Sequence, residues 1–455
     1  MARGKKKETL TSEERLKAAL VPESEQPYKV PWNWCWCFLG NIAFIRRGAS
    51  PRPIKTYVTE DEAGVNWIKI GDTSGGKYIT HVNEKITEEG AKKSVFVKEG
   101  TLLLSNSMSF GHPYILKVKG CIHDGWLALT PSEVINKEYL YYALLTSEWY
   151  FEQVAVGTAV RNLNSERVAG TPTPLPPLLE QQRIVDRIES LFAKLDEAKQ
   201  KAQDALDSFE PRKAAILHKA FTGELTAQWR KEHSVGMESW EARTSTQLFE
   251  YVTSGSRGWA KYYADSGDIF VRMGNLNHGT IELDLSDIQY VKLPGQTEGQ
   301  RTKLQKNDIL ISITADIGMV GIVREMEQNA YINQHIALAR PTAKDNAEFL
   351  AWYLISDVGL QQMRNKQRGA TKIGLGLDDI RSLELLIPTR EEQDEVVYIL
   401  DNLLAKEQQA KKAAEGVLEQ IDLIKKAILA RAFRGELGTN DPSEESAEEL
   451  LSSRI

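Results

Sequence analysis

Few residues in this chain have the types and spacing that chemistry requires. Cys35 and Cys37 form a C-x-C pair that could hold zinc with His81, His112 or His123, but Cys121 is the only other thiol and no second pair completes a metal-site pattern. Three cysteines, an odd and sparse set, suit structural thiols in a reducing compartment. Gly71 to Tyr78 (GDTSGGKY) has the glycine and lysine spacing of a phosphate loop. Tyr78, however, stands where the Mg²⁺-binding hydroxyl belongs, and the strand-like YITHV follows in place of a helix, so the stretch reads as a turn. GLGLD at 374–378 reads as a turn as well. The chain holds no Asn/Asp-Pro-Pro-aromatic tetrapeptide for a flipped base, no glycine-rich methyl-donor loop after a first strand, no H-E-x-x-H and no clustered acidic nuclease pattern. A binding role is expected, with no metal and no cofactor of its own.

The elements that must carry such binding residues are organised around Glu180 to Leu225. Ile184, Ile188, Leu191, Leu195, Ala198, Ala202, Ala205 and Phe209 follow one another at alternating spacings of four and three, a seam of period 3.5 that asks for a partner helix. The partner lies in the same chain. A shift of 212 residues lays Gly157–Leu225 on Gly369–Leu437 without a gap, and 22 of 69 positions are identical. The seam recurs as Val396, Leu400, Leu403, Ala410, Ala414, Val417, Ile421 and Ile428, with Glu407 as a polar interruption.

At 455 residues, 42% hydrophobic and 26% charged, the chain is expected to be soluble and globular, with more than one core. No apolar run approaches the roughly 18 residues of a membrane span, and the basic start at Arg3–Lys7 leads into ETLTSEERLK, so a cytoplasmic location is expected. The formal charge of −6 is uneven: residues 28–177 carry 16 − 14 = +2, and residues 438–455 carry 1 − 5 = −4. The acidic end, DPSEESAEELLSSRI, reads as a solvated or disordered tail on a near-neutral body.

In chain order, 1–27 is a polar lead in which Thr11 and Glu14 offer a capping box. Residues 28–177 form a first globular block with strand-like WIKI (67–70), KYITHV (77–82) and TLLLS (101–105), then a helix-like stretch from Glu138 to Val154. The proline-rich TPTPLPPL is expected to be an extended connector. After the first long helix (178–225) and a linker (226–244), a second block (245–388) echoes the first: FVRMGN (270–275) parallels WIKIGD, and DILIS (308–312) parallels TLLLS. The second long helix (389–437) and the tail follow. The fold class expected is α/β (α+β), with two heads separated by two long helices in an antiparallel intramolecular coiled coil, a pseudo-twofold repeat. An unbroken helix over Glu180–Glu210 would rise about 45 Å. Heads that far apart would match a little over one turn of B-DNA.

This layout resembles the specificity subunit of type I restriction-modification systems. The resemblance is carried by LLEQQRIVDRI (178–188) and TREEQDEVVYIL (389–400), by AILHKAFTGEL (215–225) and AILARAFRGEL (427–437), and by the openings at 30–51 and 252–263. It implies two target recognition domains, each reading half of a bipartite asymmetric site on double-stranded DNA, with the helices as spacer. The partners implied are two methyltransferase subunits docked on the helices and motor-nuclease subunits, with S-adenosylmethionine, ATP and Mg²⁺ bound by those partners. Residue type and loop position give the expected DNA contacts: Arg47, Lys69, Asn106, Arg161 and Asn162 in the first block, and Arg257, Lys261, Asn333, Gln334, Arg368 and Lys372 in the second. Trp259, Tyr262 and Tyr263 are expected in core or interface. Val185, Phe192 and Leu206, with Val397, Leu404 and Leu418, add apolar surface beside the seam and are expected to dock partners. A self-sufficient restriction-methylation enzyme lacks its motifs here, and a protein-only scaffold would leave two divergent, polar-looped heads without a reason.

Overall fold

The computed structural model describes residues 11–107, 110–155, 162–294, 299–368 and 374–454. The chain divides into two units, Met1–Gln200 with Leu418–Ile455, and Lys201–Val417.

In the first unit, one sheet runs in the order Ala43–Arg47, Trp126–Pro131, Leu102–Ser105, Pro113–Leu116, Tyr78–Ile79. Strand Leu102–Ser105 is buried throughout because its alternate side chains enter two different cores. Leu102 and Leu104 join Leu127, Leu129, Tyr139 and Leu140 on one face, while Leu103 joins Ile68, Trp126 and Ala128 on the other. The second unit repeats the device. Its sheet Phe249–Ser254, Ile336–Pro341, Ile309–Ser312, Val320–Ile322 sends Ile309 and Ile311 to one core and Leu310 to another. A further small sheet accompanies each, built around Val65–Ile68 and Asp268–Val271, each paired in parallel with the strand at Gly120–Ile122 or Ala330–Ile332.

The joints between head and long helix are also repeated. Asn136 caps helix Lys137–Leu145, and its own N–H donates to Gln181 Oε1 at 2.7 Å; Asn346 caps Ala347–Ile355, and its N–H donates to Gln393 Oε1 at 2.8 Å. The first proline connector is a strand, since Pro172–Leu175 pairs antiparallel with Cys35–Phe38; a two-stranded ribbon leaves each strand a free edge, where proline costs no ladder bond. Glu384–Ile387 pairs likewise with Glu241–Thr244.

The helices pair antiparallel within each unit. In the first, Asp196 binds Lys425 and Arg183 binds Glu444; in the second, Arg212 binds Glu407 at 2.9 Å and Arg230 binds Glu392. In each unit partner numbers fall as the chain advances, from Glu444 to Lys425 in the first and from Glu407 to Glu392 in the second, the pairs with Glu444 and Arg230 lying just beyond the helix ends. Three expectations need correction. The first long helix is not continuous over 180–210: it runs Leu178–Asp207, turns at Ser208 and resumes as Phe209–Phe221, because Pro211 lacks the N–H that would bond back to Asp207. The second helix, Arg390–Ala432, has no proline and no break. Val417 is 41% exposed and Ala410 is exposed as well, so the strict seam fails there; a 3.6-residue helix drifts away from a 3.5 repeat over 43 residues. Finally, the tail is ordered. Its helix Ala447–Ser452 buries Ala447 and Leu451 against Ala19 and Trp34, and Ala447 N–H donates to Asn33 O at 2.9 Å.

Candidate nucleic-acid interface

In each unit, loops from one end of the doubly buried sheet are bonded to one another. In the first, Gly48 N–H donates to Trp126 O (2.9 Å), Asn106 N–H to Gly125 O (2.9 Å) and Leu163 N–H to Asn106 O (2.9 Å). Gly48 packs so tightly on the turn at 122–126 that a Cβ there would lie 2.1 Å from His123 O. The turn is the hub of the cluster. Arg47 Nε and Asn106 Nδ2 both donate to the carbonyl of Asp124, at 3.1 and 3.0 Å, while Ser50 Oγ donates to Asp124 Oδ1 at 2.7 Å. Burial alone would raise the Asp124 carboxyl, but the Ser50 hydroxyl with His123 and Arg47 holds it below its ordinary value, so it stays ionised. Burial lowers His123, helped by Lys69 and Arg47 and opposed by Asp124, so its ring is neutral at pH 7.

The second unit builds the same frame with other side chains. A Cβ on Gly255 would lie 2.2 Å from Asn333 O, Asn333 N–H donates to Val271 O (3.2 Å) as His123 N–H donates to Ile68 O (3.0 Å), and Ile313 N–H donates to His335 O (3.0 Å). Asn333 Oδ1 accepts from His335 N–H at 3.0 Å, and Gln334 Nε2, His335 and Thr314 Oγ1 form a chain with contacts of 2.9 and 2.6 Å. Thr314 and Arg368 both bridge to Gly374.

Of the residues expected to touch DNA, the structure therefore brings Arg47, Asn106 and Asn162 together in one cluster, Asn162 through its bridge to Ser107. Asn333, Gln334 and Arg368 gather in the other, with Arg257 two residues beyond Gly255 and exposed. Asn106 needs correction as a base reader: it is fully buried and holds the Asp124 turn from beneath. Lys69 is ion-paired with Glu84, as Arg272 is with Asp287 at the matching place (3.0 Å). Arg368, although exposed, is tied to Asp379 at 2.7 Å. Lys261 stands on the turn Trp259–Tyr262, its ammonium 4.7 Å from the Tyr262 ring centre. Trp259 is core, stacked 4.8 Å from Phe270, whereas Tyr263 is exposed. Arg161 and Lys372 lie outside the described residues. Asp124 and His335 are not among the residues expected from the sequence, and His123 is expected only as a possible zinc partner of Cys35 and Cys37; residue type favours Arg, Lys, Asn and Gln, and only the folded turns bring these three into the clusters.

The docking set divides. Val185 and Val397 are buried in the two main cores, where no partner reaches them, because the head helices already cover that face. Phe192 is half-buried between Tyr142 and Lys425, and Leu206, Leu404 and Leu418 are half-buried. The exposed large apolar side chains described on the second helix are others: Leu423 (66%), Tyr398, Ile424 and Val417. Among the described residues no His, Cys, Asp and Glu cluster could hold a metal, and no helix is long and apolar enough to cross a membrane. All three cysteines are free and buried, and burial pushes the Cys35 thiol up to about 12. Lys77, the lysine of the loop-like GDTSGGKY stretch, is committed to Glu138 and to Glu189 at 2.7 Å, which clamps the head to the long helix.

Residues 31–206 and 237–419 match the family model described as the type I restriction modification DNA specificity domain. Similar curated proteins include the type I restriction enzyme EcoBI specificity subunit of Escherichia coli, 25% identical over 427 residues that span 89% of this chain and 86% of that protein. The EcoKI specificity subunit of Escherichia coli K12 is 24% identical over 90% of both chains, and the StySPI specificity subunit of Salmonella potsdam is 25% identical over 90% of both. Among solved structures, the HsdS subunit from Thermoanaerobacter tengcongensis aligns with a TM-score of 0.62 and 19% identity over 91% of this chain and all of that one. A chain from a type I restriction-modification assembly aligns at 0.68 and 20% identity, over 90% of this chain and all of the other. These likenesses concern the fold.

Proposed function

This chain belongs to the type I restriction modification DNA specificity family, and on that premise we propose that it is the DNA sequence-recognition subunit of a type I restriction-modification complex in which each unit reads one half of a bipartite, asymmetric site. One observation carries this division. The two heads share a frame down to the glycine that abuts a turn carbonyl, yet the turns present His123-Asp124-Gly125 in one and Asn333-Gln334-His335 in the other. A frame kept constant while its tip varies is what two readers of different sequences require, since base edges are discriminated by side-chain donors and acceptors and the phosphates are not.

The chain contributes no catalysis of its own in this proposal. Methyl transfer to adenine and DNA cleavage belong to two methyltransferase subunits and to motor-nuclease subunits, which bind S-adenosylmethionine, ATP and Mg²⁺. The paired helices set the spacing of the half-sites and present Leu423, Ile424 and Tyr398 to the methyltransferases. The cytoplasm is the compartment this role requires, and it keeps the three free cysteines reduced.

Mapping methylated bases across a genome tests the proposal, with the chain co-expressed with a family methyltransferase. Exchanging residues 245–388 for the second block of another family member is expected to change one half of the methylated site and preserve the other. A change in both halves, or in neither, refutes the division of labour. Methyl transfer by the purified single chain would refute its catalytic silence.

A further inference from the structure

Most of the polar groups around the first head's turn are occupied in holding it. Arg47 and Asn106 are spent on the Asp124 carbonyl, and Gly125 N–H donates to His123 Nδ1 at 2.9 Å. Because Nδ1 accepts, the proton of the neutral ring sits on Nε2, 3.0 Å from Asp124 Oδ1, which also accepts from Ser50. Oδ1 is therefore satisfied by two donors. Oδ2 faces Arg52, whose side chain is 86% exposed and 3.9 Å away, too far for a hydrogen bond. The carboxylate is one-third exposed at the rim of an open cleft whose lining includes Trp67, Lys69, Glu84 and Lys55.

An ionised acceptor on a surface that approaches a polyanion is unfavourable unless it meets a donor, and in the major groove the base donors are the amino groups of cytosine N4 and adenine N6. The neighbouring guanidinium decides between them. The partner of cytosine offers a guanidinium both O6 and N7 of guanine, whereas the partner of adenine offers a single oxygen and a methyl group. Resting on the premise that this chain reads DNA, we propose that Asp124 and Arg52 together select a C·G pair in the half-site of the first head, with Asp124 Oδ2 accepting from cytosine N4–H and Arg52 donating to guanine O6 and N7. Gln334 holds the matching place in the second head, where an amide that both donates and accepts cannot impose the same choice.

The test is equilibrium binding of the assembled methyltransferase complex to duplexes carrying every single base-pair change in the mapped site. Asp124→Asn, which turns half of the acceptor into a donor, is expected to reduce discrimination at one C·G position on the order of tenfold and to leave every other position as it was. A uniform loss across all sequences, or no loss, overturns the proposal. Should Asp124→Asn impair folding, Arg52→Ala decides, because so exposed a side chain is not needed for the fold: it must relax the same position, and relaxation elsewhere or nowhere is fatal to the idea. The unaltered complex separates the two levels. If it binds all the duplexes alike, the DNA-reading premise itself fails; if it discriminates while Arg52→Ala keeps the full pattern, only the Asp124–Arg52 assignment falls.

Discussion

Replacing Gly48 by alanine should damage the half-site read by the first head and spare the other, with Gly255→Ala doing the reverse. An added Cβ at Gly48 would sit 2.1 Å from His123 O and 2.8 Å from Ile122 O, against a comfortable carbon–oxygen approach of about 3.3 Å. Because both of these neighbours are backbone atoms, the loop itself must withdraw by about 1 Å. That movement stretches Gly48 N–H to Trp126 O, now 2.9 Å, and Ala49 N–H to Ile122 O, now 3.2 Å, past useful range. Two net hydrogen bonds are worth about 1–3 kcal/mol, and the stiffer unfolded chain returns about 0.4–1 kcal/mol, so a loss of about 0.5–2 kcal/mol is expected, or roughly 1–8 °C in melting temperature for a unit of this size. The functional loss should exceed the thermal one, because Ser50 and Arg52 ride on the displaced loop. Differential scanning fluorimetry and binding to a panel of half-site variants measure the two. An unchanged melting temperature together with unchanged discrimination would show the contact to be slack and refute the argument.

Two further perturbations test the joints and the coil. Gln181→Ala strands the N–H of Asn136 and the carbonyls of Val134 and Pro176 in a buried place, so about 3 kcal/mol or more should be lost in chemical denaturation; Gln393→Ala should cost a similar amount in the other unit, and a loss under about 1 kcal/mol in either would count against the joint. Leu423→Glu with Ile424→Glu alters exposed positions and should abolish co-purification with the methyltransferase while leaving the melting temperature within a few degrees; intact co-purification would exclude this stretch as the docking surface.

The sequence made legible what is local or repeated. The long helices announced themselves through a seam, the capping box at Thr11 and Glu14 formed as its spacing requires, and the strand runs TLLLS and DILIS are the central, doubly buried strands. What escaped depends on distant partners. The acidic tail has the composition of a solvated segment, and it is residues far away in the chain, Ala19, Asn33, Trp34, Glu180 and Arg183, that give it a place to dock. Pro211 is a local signal for the break at Ser208, which the 3.5-residue seam running on to Phe209 hides. Asn106 sits at a strand end and is of a type that reads bases, but its burial follows from a turn some 18 residues on. Asp124 is absent from the contacts expected by residue type, which consider Arg or Lys on guanine and Asn or Gln on adenine but not an acid on a base amino group.

The identities between the two halves fall largely at these joints, and this bears on how selectivity is carried. Glu180 and Glu392 are both fully buried, and each accepts hydrogen bonds from the segment that follows the other long helix: Thr439 and Asn440 in the first unit, Thr226 and Arg230 in the second. Phe433 packs on Tyr139 at 5.2 Å, as Phe221 packs on Phe349 at 5.3 Å. Gly223 and Gly435, just past these helix ends, both take the left-handed backbone that glycine adopts without strain. Each of these groups would leave a cavity or a buried unsatisfied charge if changed alone, so the two halves are held alike there. The turn tips bear no such constraint. Their frames are fixed by backbone bonds, from His123 N–H to Ile68 O and from Asn333 N–H to Val271 O, that do not depend on which side chain stands at Asp124 or Gln334. A protein built this way can alter what one head reads by changing a few tip residues while the joint, the coil and the other head keep their geometry.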